Sequence, residues 1–136
     1  MTSYYLNALW LAIPAVLAAP TATLHPAIEK AFDLYSALPS ELIPVLQEAK
    51  DKSSADKAAT KLHKKLQSIY ITREAVHNIP TMTAEQRQLV EARYSKRMRQ
   101  EWAKMYEEIE RIRMARCFES AELWNEFRTM CMMIEK

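Results

Sequence analysis

The chain has 136 residues, 19 of them Lys or Arg and 17 Asp or Glu, and no glycine at all. That length suits one small domain. The missing glycine argues against tight β-hairpins, phosphate-cradling loops, dinucleotide-binding fingerprints and calcium loops, which need positive φ or close backbone approach. A formal net charge of +2 is too small to imply a specific nucleic-acid partner.

Residues 1–28 carry no Lys, Arg, Asp or Glu, and every such charge lies from Glu29 onward. Within them Leu6 to Ala19 is an apolar run of 14 residues, the length of a signal-peptide core and short of the roughly 20 that span a bilayer. Val16-Leu17-Ala18 suits cleavage before Ala19, so residues 1–18 read as a signal peptide and 19–136 as a single helical domain in the periplasm or outside the cell. No basic residue precedes the run, and Pro14 interrupts it. Those features keep two alternatives open, an uncleaved membrane anchor and a core helix. No cysteine follows the run, which argues against a bacterial lipid anchor.

The body is rich in strong helix formers and is expected to be an all-α, antiparallel up-and-down bundle of three to four helices. His25-Pro26 opens the first stretch, whose apolar face (Ala27, Ile28, Ala31, Phe32, Leu34, Tyr35, Leu38) is interrupted at Pro39. Ser40 caps a second stretch, with Pro44 in its first turn, where a missing N–H costs little. After a polar turn at Lys50–Ser54, Ser53 or Ser54 starts the next helix, Ser53-x-x-Asp56 resembling a capping box. Its stripe is Ala55, Ala59, Leu62, Leu66, Ile69 and Val76. Asn78 suits a left-handed C-terminal residue, and Pro80 blocks continuation. Thr83-x-x-Gln86 is a capping box opening a long helix with the stripe Val90, Tyr94, Met98, Trp102, Met105, Ile109 and Ile112. Glu101→Lys104, Glu107→Arg111 and Glu110→Arg113 support it along one face. Ser120 caps a last helix bearing Leu123, Trp124, Phe127, Met130, Cys131 and Ile134. The alternative is that the long helix runs straight through.

The short link from Asn78 to Met82 makes the two main helices antiparallel neighbours in this reading, with facing residue numbers summing to about 160. Leu66 then meets Tyr94, Leu62 meets Met98, and Ala58 and Ala59 receive Trp102. The same register levels Lys57, Lys61, Lys64 and Lys65 with Arg93, Lys96, Arg97 and Arg99, a surface basic band suited to an anionic surface such as lipid headgroups, acidic glycan or unfolded acidic peptide. Ordinary solvation of two helix faces explains the same charges. The long helix outreaches its partner, so a homodimer is expected.

Three smaller features carry chemistry on paper. Glu74-x-x-His77 has the spacing of di-iron bundle ligands but no second copy, and His63 stands about 21 Å from His77 along a helix. Met130, Cys131 and Met133 are soft donors suited to Cu(I), and also suit an apolar turn packed on the bundle. Cys117 and Cys131 are the only thiols and, on one straight helix, are too far apart to bridge. No nucleophile–base–orienter set assembles, so the chain is not expected to be an enzyme or to hold a cofactor.

The stretch Asp51-Lys52-Ser53-Ser54-Ala55-Asp56-Lys57-Ala58-Ala59-Thr60-Lys61-Leu62 resembles the D-K-x-S-A-D-x-A-A-x-K-L stretch of small exported helical proteins of unknown function, which implies an exported helical hairpin and no catalytic residue. Met82-Thr83-Ala84-Glu85-Gln86-Arg87 resembles, less closely, the L-T-x-x-Q motif of periplasmic stress proteins, implying a helical, dimeric, chaperone-like protein. Met82 replaces the motif's leucine, and the second copy is absent. The expectation is an exported, non-catalytic interaction or structural module acting on a protein partner or on itself. A periplasmic chaperone-like protein and a soft-metal binder are the alternatives.

Overall fold

A computed structural model describes residues 23–135, so the leader at 1–18 lies outside the described residues. Four α-helices follow one another: α1 (Pro26–Gln47), α2 (Lys52–His77), α3 (Ala84–Met114) and α4 (Ala121–Glu135), with a short turn at Arg116–Glu119 between the last two. Among the described residues there is no strand. Successive helices run in opposite directions, as the expected antiparallel bundle requires.

Their order in space departs from the expected hairpin. α1 packs against both α2 and α3, α4 packs against α2, and α2 and α3 do not form a packed pair. Six residues separate His77 from Ala84, and a link that long reaches about 20 Å when extended. Packed helix axes stand only about 8–10 Å apart, so this link permits adjacency without imposing it. α1 takes the central place because its apolar surface is the broadest, with Ile28, Ala31, Phe32, Leu38, Leu42, Val45 and Leu46 all buried. Ala55, Ala58 and Ala59 of α2 are buried too, and their small size lets neighbouring backbones approach.

α1 and α3 run side by side in the same direction. Thr23 and His25 meet Gln86, Asp33 meets Tyr94, Tyr35 meets Trp102, and Leu46 and Ala49 meet Arg111. Trp102 therefore nests against α1 instead of the alanines of α2, and the pairing of Leu66 with Tyr94 gives way to Phe32 with Tyr94 (ring centroids 5.6 Å apart).

α1 is one continuous helix through Pro39 and Pro44, where the sequence suggested a break. A proline at 39 removes the N–H that the Tyr35 carbonyl needs. The Trp102 indole supplies the substitute, its Nε1 donating to the Tyr35 oxygen at 3.0 Å, while its ring stacks on Tyr35 with centroids 4.6 Å apart. A donor from a distant part of the chain repairs the ladder.

The helix ends also refine the expectations. Asp51 caps α2, its carboxylate accepting from Ser54 N at 2.8 Å while Ser54 Oγ accepts from Asp51 N at 2.9 Å, a complete capping box. Neither Ser53 nor Ser54 is the cap, because the aspartate one turn earlier offers the stronger acceptor. Asn78 sits at φ −96°, not in the left-handed region. Thr83 caps α3 through Gln86 N at 3.2 Å. Gln86 does not close the box; its amide accepts from His25 N and donates to the Thr23 carbonyl, pinning the start of α1.

The turn before α4 holds the left-handed residues. Arg116, Cys117, Phe118 and Glu119 have φ of 50°, 53°, 55° and 61° in succession, at about 1–2 kcal/mol per residue for side chains with a Cβ. Tertiary contacts offset that cost. Cys117 is buried, Arg111 lies over the Phe118 ring at 5.7 Å, and Ser120 Oγ donates to the Asp56 carboxylate while accepting from Leu123 N. Ser120 caps α4 as expected, and the break replaces the straight run.

Candidate interaction surface

The surface follows from what each helix has left after packing. α2 presents Lys57, Lys61 and Lys64 to solvent with Lys65 half-buried, and α3 presents Arg93, Lys96, Arg97 and Arg99. Because α1 lies between these helices, the two sets do not face each other across one hairpin. They flank α1, whose acids reach both ways. Glu48 holds Lys61 at 2.7 Å, and Glu29 holds Arg93 at 3.6 Å. Arg99 pairs with Glu91 of its own helix at 3.5 Å. Such exposed pairs contribute at most about 1 kcal/mol each. Among the described residues no ion pair holds Lys57, Lys64, Lys65, Lys96 or Arg97.

Apolar side chains accompany these cations. Tyr70 is 51% exposed and Ile71 44%. Lys57, Lys64 and Ile71 recur every seven residues, which puts them in one line along α2. Trp124, placed by its spacing in the α4 stripe, is instead 51% exposed, and Met132 is 46% exposed. The core side of α4 is filled by Leu123, Phe127, Met130, Cys131 and Ile134.

Other candidate positions are occupied structurally. Met130 and Cys131 are buried and Met133 is half-buried, all packed in or against the core. Both cysteines are free and buried. Burial, with Glu135 nearby, pushes the Cys131 thiol up to about 11, and burial raises Cys117 as well, so both stay protonated at neutral pH. Metal binding prefers the thiolate. Glu74 and His77 are exposed at the end of α2, and His63 contacts Glu126 of α4 at 3.1 Å. Among the described residues no group of three or more His, Cys, Asp or Glu could hold a metal ion.

Sequence reasoning missed the groups that tie helices together. Arg111 pairs with Glu108 at 2.9 Å, not Glu107, and its other two nitrogens donate to the carbonyls of Ala49 (2.8 Å) and Leu46 (2.7 Å). The Tyr94 hydroxyl donates to Asp33 at 2.6 Å. No local motif announces either contact, since the partners lie 61 to 65 residues away. Glu101–Lys104 and Glu110–Arg113 do pair as their spacing suggested.

Two buried weak acids, the Tyr94 phenol and the Cys131 thiol, set an alkaline limit. Burial, reinforced by the bond to Asp33, pushes Tyr94 up to about 12, and Cys131 stands near 11, against ordinary values of 10.0 and 9.0. A folded state that holds its protons more tightly than the unfolded chain keeps that stability below the unfolded value and loses it as pH rises through the folded one. Stability is expected to fall from about pH 9 to about pH 12, and Tyr94→Phe should flatten the upper part of the decline in denaturant titrations at stepped pH. An unchanged profile in that variant would remove Tyr94 from the account.

Comparison with family models, curated proteins and solved structures finds no match to this chain.

Proposed function

We propose that the protein is an exported, non-catalytic helical interaction module that binds acidic, partly apolar protein segments through the outer faces of α2 and α3. The observation that carries this reading is the set of cations held by no ion pair among the described residues: Lys57, Lys64 and Lys65 on α2, and Lys96 and Arg97 on α3. Tyr70 and Ile71 beside the α2 cations supply apolar contact. The 14-residue apolar run from Leu6 to Ala19, ending in small residues suited to cleavage, supports export. Inward groups with nucleophilic or acid–base chemistry serve the bundle: Cys117 and Cys131 as buried thiols, Asp33 on Tyr94, and Ser120 on Asp56.

The test is binding of an unfolded acidic polypeptide, followed by fluorescence anisotropy. Charge reversal at Lys57, Lys64, Lys96 and Arg97 to Glu is expected to weaken binding at least roughly tenfold at low salt, each contact adding a fraction of that. The wild type should also weaken as ionic strength rises toward 0.15 M, where screening sets in beyond about 8 Å. Equal affinity of wild type and the reversed variant would overturn the reading.

A chaperone-like role is the second reading, favoured by the exposure of Tyr70, Ile71, Trp124 and Met132. It calls for suppression of client aggregation that Tyr70→Ser and Trp124→Ser diminish while the charge-reversed variant retains it.

A further inference from the structure

The turn at Arg116–Glu119 is where local preference and native conformation conflict. Residues 113–120 read Arg-Met-Ala-Arg-Cys-Phe-Glu-Ser, with neither glycine nor proline. Arg, Met, Ala and Glu are among the best formers of right-handed helix. Four of these eight residues nevertheless stand at positive φ. A segment whose intrinsic preference opposes its native geometry is kept there only by contacts made elsewhere.

The flanking stripes make the alternative specific. Ile112 is the last buried residue of α3 and Leu123 the first of α4. They are eleven residues apart, which is three turns of a near-ideal helix. If the turn relaxed to right-handed helix, the stripe Met105, Ile109, Ile112 would continue in line through Leu123, Phe127, Met130 and Ile134. Residues 84–135 would then form one rod about 78 Å long. That rod carries α4 away from its own α2 and bares both of their buried faces. The surface that fits each bared face is the same surface on a second copy of this chain.

We infer that the left-handed turn is a hinge, and that the protein exchanges α4 between two copies to form a domain-swapped homodimer with a continuous α3–α4 helix. Strained connections favour such exchange, because opening releases the strain while the docked contacts re-form between chains. The His63–Glu126 contact and the packing of Leu123, Phe127, Met130 and Ile134 on α2 become intermolecular. Ser120 is the latch, since it caps α4 and bonds Asp56 only when the turn is closed.

The experiment compares full-length variants by sedimentation at concentrations on the order of tens of micromolar, where a protomer equilibrium is visible. Ser120→Ala removes the cap and the Asp56 bond and favours helix, so it is expected to tighten the dimer roughly tenfold. Asp56→Asn, which leaves the cap intact, should tighten it less. Arg116→Gly with Glu119→Gly, both at exposed sites, relieves the left-handed strain and weakens the rod, so it is expected to loosen the dimer by roughly tenfold or more. The exchange itself is read by mixing chains carrying only His63→Cys with chains carrying only Glu126→Cys, refolding them together and oxidising. A disulfide joining the two kinds of chain is the expected product. Monomers in every variant would overturn the inference, as would a dimer whose 63–126 crosslink forms only when both substitutions share one chain.

Discussion

Trp102→Ala is expected to destabilise the fold by about 3–5 kcal/mol, the range for removing a buried large aromatic. The indole is 3% exposed, stacked on Tyr35 and close to Tyr106 at 5.9 Å. Its loss leaves a cavity and strips the donor from the Tyr35 carbonyl. Trp102→Phe separates the two effects, because it keeps most of the ring and removes only the N–H. Removing a donor from a part-buried carbonyl costs about 1–3 kcal/mol. In a Pro39→Ala background the helix ladder can supply its own N–H to Tyr35, so the penalty of Trp102→Phe should shrink by on the order of 1 kcal/mol in a double-mutant cycle. Urea titration measures all four species. Additive penalties would mean that the indole does not compensate for the proline.

Arg111→Ala is expected to cost about 2–4 kcal/mol, since bonds from a charged donor contribute roughly 1.5–3 kcal/mol and two carbonyls lose their partner together. The guanidinium closes the C-terminal end of α1, donating to Leu46 and Ala49, and its positive charge complements the negative end of that helix. It also covers Phe118 in the left-handed turn and pairs with Glu108. Arg111→Lys retains the charge but not the fork, so it should recover less than half of the loss. Glu108→Gln, which removes the charge of this part-buried pair but keeps an acceptor for the Arg111 Nε, is expected to cost about 1–2 kcal/mol, less than Arg111→Ala. A thermal melt of the three variants orders them; equal stability of the Arg111→Ala protein and the wild type would dismiss the clamp.

Much of the secondary structure was legible because it rests on neighbours in sequence. All seven members of the α3 stripe, from Val90 to Ile112, are buried, as the three-and-four spacing implied. Thr83 and Ser120 cap the helices they precede, and Pro80 stands beyond the end of α2. Pro39 was misleading for the opposite reason: the group that repairs its missing hydrogen bond comes from position 102. Trp124 fits the apolar spacing of α4, yet it is half exposed, because α4 packs chiefly on α2 and that contact is filled by Leu123, Phe127, Met130, Cys131 and Ile134.

The basic band shows the same division. Which residues are charged and exposed is readable from periodicity, and Lys57, Lys61, Lys64, Arg93, Lys96, Arg97 and Arg99 are all exposed. Which of them acids neutralise depends on Glu29 and Glu48, and these reach Arg93 and Lys61 only because α1 sits between α2 and α3.

By itself the sequence determined an all-helical body, where most helices begin and end, and which side of each is apolar. Propensity, capping and amphipathic spacing act within a few residues, so they are written locally. Only the tertiary structure decided that α1 is the centre of the bundle, that a proline-bearing helix runs unbroken, and that four residues with side chains turn left-handed before α4. Those outcomes depend on contacts between positions some sixty residues apart, where burial, an indole N–H and a serine–aspartate bond outweigh the preference of the local chain.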